Sequence, residues 1–250
     1  MNTLFTPLLE RLRAIGPLVA AFSGGVDSTL LVRAASQALG PDLLAVTAAT
    51  EFTPARDLDL ARDKARLLGL GHEVLELSVL ADPQVAANPP RRCYHCKRLI
   101  FSAIKERFPG LPLVDGTNAD DDPARPGLVA LAELGVISPL KDCGLVKAEV
   151  RRLSAWLGLP GFDAPSNSCL ATRLLPGQTI TRAELGRVEA LEEALRALGL
   201  EDIRARNQGA HLRLEVQARD LPLARDLLPD IKTQAGGIGF TSVSLAERNP

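Results

Sequence analysis

Four groups of residues have the types and spacing for chemistry. Ser23-Gly24-Gly25-Val26-Asp27-Ser28 lies between the apolar run Leu18–Phe22 and a segment of helical character. Glycines let a backbone approach an anion closely, and the next helix offers free N–H groups and a positive dipole end. Ser23 and Ser28 add hydroxyl donors, and Asp27 suits a Mg²⁺ that carries phosphates. The bland alternative is a tight turn without a ligand. The spacing fits neither GxGxxG nor GxxxxGK[ST]. Cys93-Tyr94-His95-Cys96 is a CxxC pair, able to bind one metal ion or an iron–sulfur cluster and shared by redox pairs and buried cysteines. Cys169 follows a turn-rich loop and precedes Arg173, while Cys143 stands alone in a short loop and reads as structural or incidental. Asp115-Gly116-Thr117 opens an acidic loop that runs to Asp121, either a solvated turn or a ligand for metal or ribose. Arg204 and Arg206 alternate along an expected strand, so they share one face.

Three cysteines with an open position differ from a structural zinc site, which four ligands close. A [4Fe-4S] cluster on Cys93, Cys96 and Cys169 leaves one iron free. A Cys₃His zinc site completed by His95 is an alternative. So are two free thiols beside a reactive Cys169.

The elements that must position these groups follow from the rest of the chain. Its 250 residues are 46% hydrophobic and 24% charged, with 29 basic and 30 acidic side chains. That excludes disordered, collagen-like and coiled-coil classes and gives no global pull toward nucleic acid or membrane. No uncharged apolar run nears the ~18 residues that span a bilayer. A cytoplasmic protein with reduced cysteines is expected.

Strands and helices alternate through the first two-thirds. Leu18–Phe22, Leu43–Ala48, His72–Leu77, Leu111–Val114 and, more weakly, Val136–Ser138 read as strands. Helices are expected over about Ser28–Leu39, Pro54–Leu68, Tyr94–Phe108 and Leu145–Leu157. Such units imply an α/β fold, a parallel sheet with helices on both faces. After Pro160 the pattern changes. Thr181 and Glu184, at capping-box spacing, open a long helix that runs to Leu198. Strands at Asp202–Arg206 and His211–Val216, a helix near Ala218–Leu228, a Gly236-Gly237 turn and a strand near Phe240–Leu245 complete a small α+β tail. The expected domains are 1–172 and 173–250.

The SGGVDS loop resembles that of the PP-loop ATP pyrophosphatase superfamily, whose members transfer AMP to a substrate oxygen and release pyrophosphate. Lys147–Pro160 and the Asp115–Asp121 loop look like further parts of that superfamily. Together with NPPRRCYHCK, Arg125-Pro126-Gly127 and SCLATR, the chain resembles the LarE family of ATP-dependent sulfur transferases along nearly its whole length. The resemblance implies ATP bound by Ser23, Gly24, Gly25, Asp27, Ser28, Asp115, Gly116 and Thr117, with Mg²⁺. It implies adenylation and then thiolation of pyridinium-3,5-biscarboxylic acid mononucleotide. Arg204 and Arg206 match a family R-x-R pair that meets the substrate phosphate. The family often has His after that pair, whereas Asn207-Gln208 follows here. Arg173 is a candidate for the AMP or a substrate carboxylate, with Lys97 and Arg125 as further cations.

Family members differ in sulfur source. Some surrender the sulfur of the cysteine matching Cys169. Others carry three cysteines and resemble cluster-dependent catalysts, and this chain has Cys93, Cys96 and Cys169. Cofactors expected from the resemblance are ATP, Mg²⁺ and a [4Fe-4S] cluster. Expected partners are a small-molecule nucleotide substrate and a sulfide donor, with the chain in a homo-oligomer and no nucleic acid or membrane. A tRNA-thiolating PP-loop enzyme is the main rival, and it needs an extended basic surface. An amide-forming PP-loop ligase leaves the cysteines unused. An ATP- or AMP-binding sensor with structural zinc is the non-enzyme alternative.

Overall fold

A computed structural model describes residues 3–165 and 168–248. In chain order the first elements are α1 (Phe5–Ile15), β1 (Leu18–Ala21), α2 (Val26–Leu39), β2 (Leu43–Ala49), α3 (Ala55–Leu67), β3 (His72–Glu76) and the short α4 (Pro83–Ala86). Then come α5 (Arg92–Arg107), β4 (Leu113–Val114), α6 (Pro126–Glu133), the short α7 (Pro139–Asp142), α8 (Lys147–Trp156) and α9 (Arg182–Ala197). The tail holds β5 (Ile203–Gln208), β6 (His211–Val216), α10 (Leu221–Asp226), α11 (Leu228–Gly237) and β7 (Ser242–Glu247). The sequence reading places neither α1 nor α6.

The chain divides into two compact units. Residues up to Val79 and from Arg91 to 165 make the first, and Leu80–Pro90 with residues from Ser168 onward make the second. The break therefore falls a few residues before the expected 173. Residues 80–90 also join the second unit, because Ile180 and Gly177 donate backbone hydrogen bonds to Ala86 and Asn88 at 2.7 and 2.8 Å.

The first unit is built on a parallel sheet of order β3-β2-β1-β4. Its apolar runs are buried on both faces: Leu18, Val19 and Ala20 of β1 are each at most 1% exposed. One core joins β1 to α1, α2 and α8 through Leu8, Leu12, Leu30, Leu31 and Leu153. On the other face Val19 and Val46 pack with Phe101 and Ile104 of α5 and Leu131 of α6. The chain leaves β1 toward β2 on one side and later returns to β4 on the other. β1 and β4 therefore flank a topological switch point, where loops beyond the strand ends diverge and leave a crevice. The expected strand at Val136–Ser138 contributes one bridge, between Ile137 and Val114.

The edge strand β3 also braces the end of β1. The Thr47 hydroxyl donates to the Phe22 carbonyl at 2.7 Å and lies 2.8 Å from Nε2 of His72. A hydroxyl has one proton, so His72 is assigned as the donor from Nε2. Burial, then the nearby Arg62 charge, holds His72 below its ordinary 6.5. The folded chain thus disfavours protonated His72 relative to the unfolded one. The stability this confers is complete above about pH 6.5 and is lost as pH falls through the lowered value. Urea melts of the wild type and His72→Gln should show a stability gap that shrinks between about pH 7.5 and pH 5.

In the second unit β5 pairs antiparallel with β6, and β6 pairs parallel with β7. Thr181 caps α9 by accepting from the Glu184 backbone N–H at 3.2 Å. The helix expected near Ala218–Leu228 is two helices, since Pro229 lies in the first turn of a separate α11. A proline has no N–H to extend α10 but starts a helix readily. Gly236 and Gly237 end α11 rather than forming a turn of their own.

Candidate functional site

The Ser23–Ser28 loop joins the carboxyl end of β1 to the first turn of α2. The Ser28 hydroxyl donates to the Gly25 carbonyl at 3.1 Å and accepts from the Ser23 backbone N–H at 3.3 Å. Thr29 donates to the Gly25 carbonyl at 2.8 Å. Gly24 has φ +72°, and a Cβ there would lie 3.1 Å from the Ala61 backbone, so glycine serves both conformation and packing. The loop is thus bonded into one shape at a helix N-terminus, a setting that favours anions.

Two residues of α3 press on this loop. Ala61 touches Gly24, and Lys64 donates its ammonium to the Gly24 carbonyl at 2.7 Å. Lys64 is 5% exposed, and burial lowers its proton affinity from the ordinary 10.5. Sequence reading passes over Lys64, although its signal is present: Ala61, Lys64 and Ala65 form the buried stripe of an otherwise charged helix. Lys64→Met should remove about 1.5–3 kcal/mol from unfolding stability, the usual worth of a hydrogen bond to a charged group. Chemical denaturation with unchanged m-value tests this.

The loop after β4 closes the other side of the crevice. A Cβ on Gly116 would lie 2.9 Å from the Ser28 backbone nitrogen, so the approach of β4's loop to α2's first turn leaves no room for a side chain there. Gly116→Ala should therefore cost about 1–3 kcal/mol, the range for overpacking, and weaken ATP binding about tenfold as the loop shifts. Thermal melts and ATP titration read these two effects.

Asp115 and Thr117 have inward-facing roles. Asp115 is 7% exposed and accepts hydrogen bonds from the hydroxyls of Thr117 and of Ser138, the latter at 2.6 Å. Their polar groups hold the loop together and seat Gly116.

Asp27 lies on α2 beside Asn118, Asp120, Asp121 and Lys147, which line a pocket of about 310 Å³. The Asn118 amide donates to Asp27 at 3.1 Å, and the Lys147 ammonium pairs with the second Asp27 oxygen. Asp120 accepts from the Lys147 backbone N–H at 2.7 Å. A cation already rests on Asp27, and the carboxylates of Asp120 and Asp121 are the hard oxygen donors that Mg²⁺ prefers. These carboxylates do not form a three-ligand cage, so a magnesium ion here would be held by one or two of them together with nucleotide phosphates. The sequence places Asn118 and Lys147 in segments that resemble parts of the superfamily but gives neither residue a role, because only the fold brings α8 and β4's loop to α2.

Cys93 and Cys96 occupy the first two turns of α5, with Cys93 exposed and Cys96 half-buried. Gly127 at the start of α6 lies against Cys93 and Lys97. The Lys97 ammonium stands 5.0 Å from the Phe101 ring centre, and Arg125 pairs with Asp121 at 3.3 Å. Cys143, packed at the edge of the core, has its thiol pushed up by burial and then by Asp142, against a smaller opposing effect of Arg11.

The second unit carries Cys169, Arg173, Arg204 and Arg206. Cys169 precedes a short helical turn, Leu170–Arg173, and its thiol is half-buried. Ser166 and Asn167, just before it, lie outside the described residues. Arg173 is 1% exposed, and its guanidinium forms a two-bond fork with Glu192 at 2.8 and 3.1 Å. Its remaining nitrogen donates to the carbonyls of Ser168 and Cys169. In this arrangement Arg173 is a buried strut that fixes the cysteine-bearing turn.

Arg204 and Arg206 share one face of β5, as their alternation requires. Arg206 donates to the Thr172 carbonyl and pairs with Glu215 at 2.9 Å. Burial, then repulsion from Arg248, Arg206 and Arg173, lowers the proton affinity of Arg204, against the pull of Glu215. A cluster of cations beside the Cys169 turn is a setting that an anionic ligand would stabilise.

Among the described residues no three His, Cys, Asp or Glu side chains stand together as metal ligands. No helix among them is long and apolar enough to cross a membrane.

Residues 7–103 match the asparagine synthase family model. The chain is 31% identical over 248 residues to a pyridinium-3,5-bisthiocarboxylic acid mononucleotide synthase of Lactiplantibacillus plantarum, covering 95% of this chain and 88% of that protein. It is 38% identical over 200 residues to an uncharacterized protein of Synechocystis, covering 78% of this chain and 75% of the relative. It is also 32% identical over 191 residues to an NH3-dependent NAD+ synthetase of Hyperthermus butylicus, covering 72% and 67% respectively.

Proposed function

Because the chain belongs to the LarE family of ATP-dependent sulfur transferases, we propose that it adenylates a carboxylate of pyridinium-3,5-biscarboxylic acid mononucleotide and converts it to a thiocarboxylate. The observation that carries this reading is the switch-point crevice. There the glycine loop, the α2 N-terminus and Asp27 meet the loop of Gly116. That arrangement suits a nucleotide triphosphate.

In this reading the loop N–H groups and the Ser23 and Ser28 hydroxyls cradle the phosphates. Asp27 would hold Mg²⁺ together with the phosphates themselves, and the metal would supply positive charge to them. A carboxylate oxygen of the substrate attacks the α-phosphorus, the bond to the β-phosphate bridge breaks, and pyrophosphate leaves. Arg204 and Arg206 take the substrate phosphate through guanidinium forks. A sulfur nucleophile then attacks the acyl carbon and AMP departs. Cys93, Cys96 and Cys169 would hold a [4Fe-4S] cluster that supplies this sulfur.

A second reading makes Cys169 itself the sulfur donor, ending as dehydroalanine after one turnover. The observation in its favour is that Cys169 is a half-buried thiol on a turn whose backbone Arg173 holds in place. One experiment tests both. Anaerobically prepared protein is assayed for iron and acid-labile sulfide, then given ATP, Mg²⁺ and the pyridinium nucleotide. Pyrophosphate, thiocarboxylate and intact Cys169 over several turnovers are expected. One sulfur lost per chain from Cys169 supports the second reading. Absence of pyrophosphate release rejects adenylation altogether.

A further inference from the structure

The ion pair inside the nucleotide pocket has a use that the reaction sequence above leaves unassigned. Lys147 is the first residue of α8, and its backbone N–H is fixed by Asp120 at 2.7 Å. Its side chain is not fixed in the same way. It is 28% exposed, and its ammonium rests on one oxygen of Asp27. The other Asp27 oxygen is held by Asn118 at 3.1 Å. Asn118 is itself locked: its side-chain oxygen accepts from the Asp120 N–H at 2.9 Å, and its own N–H donates to Asp121 at 3.0 Å. Asp27 thus has one permanent partner and one exchangeable partner.

We propose that Lys147 is the resident counter-cation of this pocket, competing with the divalent metal for Asp27 and yielding to it when ATP brings the metal in. The proposal rests on the nucleotide reading of the pocket. An ammonium and a metal ion on the same carboxylate oxygen repel each other and exclude each other sterically. A metal alone must displace the ammonium unaided. A metal bound to a triphosphate arrives with negative charge that can take up the released ammonium. Lys147 therefore opposes metal binding without nucleotide and favours nucleotide binding without metal.

These two effects have opposite signs, which a merely structural lysine would not produce. Mn²⁺ serves as the metal probe, and binding is read by paramagnetic resonance of the free ion with no substrate present. Lys147→Gln should bind Mn²⁺ about tenfold more tightly than the wild type, since an unopposed carboxylate remains. With the metal chelated, the same variant should bind ATP about tenfold more weakly, having lost a cation. Lys147→Arg, which keeps the charge, should stay within about threefold of the wild type in Mn²⁺ binding. Asp27→Asn should abolish the tight Mn²⁺ binding of Lys147→Gln. Unchanged or weaker Mn²⁺ binding by a folded Lys147→Gln overturns the proposal. If that variant melts more than a few degrees early, Lys147→Met is measured against the same criterion. None of these measurements uses turnover. A chain that fails to thiolate the pyridinium nucleotide yet shows the opposite signs rejects the proposed substrate and keeps this role for Lys147.

Discussion

Asp27→Ala should lower pyrophosphate release about a hundred- to a thousandfold, the scale on which one preorganised electrostatic partner of a reacting group is removed. The carboxylate stands at the helix start where the phosphates are expected, with an amide on one oxygen and an ammonium on the other. Its loss removes the carboxylate proposed to hold magnesium with the phosphates. It also leaves the Lys147 ammonium without its carboxylate. The fold should survive, because α2 is anchored by Leu30, Leu31, Ala34 and Ala35, each 0% exposed, while the Asp27 side chain is 22% exposed. The checks are a coupled pyrophosphate assay and a melting curve within a few degrees of the wild type. Release that persists at the wild-type rate in a folded variant removes Asp27 from the site.

Cys169→Ala should separate the two half-reactions. Thiocarboxylate should fall by about a thousandfold or more, since neither sulfur source works without this thiol. Pyrophosphate release should continue, because the adenylating loop lies in the other unit and contains no cysteine. The structural cost should be small: the turn is held by the Cys169 carbonyl, which accepts from Thr172 and Arg173, and not by its side chain. Arg173→Met gives the converse. Losing its fork to Glu192 leaves that buried carboxylate with only Arg196 and the Ala205 N–H as partners and should cost about 1.5–3 kcal/mol of stability. Mass spectrometry of the product, run beside the pyrophosphate assay, distinguishes the two variants. Thiocarboxylate formed by Cys169→Ala at the wild-type rate would rule this residue out of sulfur delivery.

The parts legible in sequence are those whose causes are local. A short apolar run, two glycines and a helix of good formers announce β1, the loop and α2 without help from distant residues. The alternation of Arg204 and Arg206 likewise fixes their common face from spacing alone. Contacts between residues far apart along the chain are not legible in this way. Nothing in the spacing after Cys169 announces that Glu192, nineteen positions beyond Arg173, pairs with its guanidinium. Nor does the Asp115 loop announce its hydrogen bond from Ser138. Lys64 and Lys147 both serve the loop, yet the contacts that reveal them span 40 and 120 positions. Pattern in one dimension does not carry such pairings.

The route of residues 80–90 has a bearing on how this architecture could be dissected or inherited. A polypeptide beginning at Ser168 would lack the strip to which Gly177 and Ile180 donate, leaving those amides without their acceptors. The downstream module is therefore not a detachable appendage: recombination that swapped it at a single junction would separate it from a piece of its own framework, so exchange between relatives would require two matched cuts.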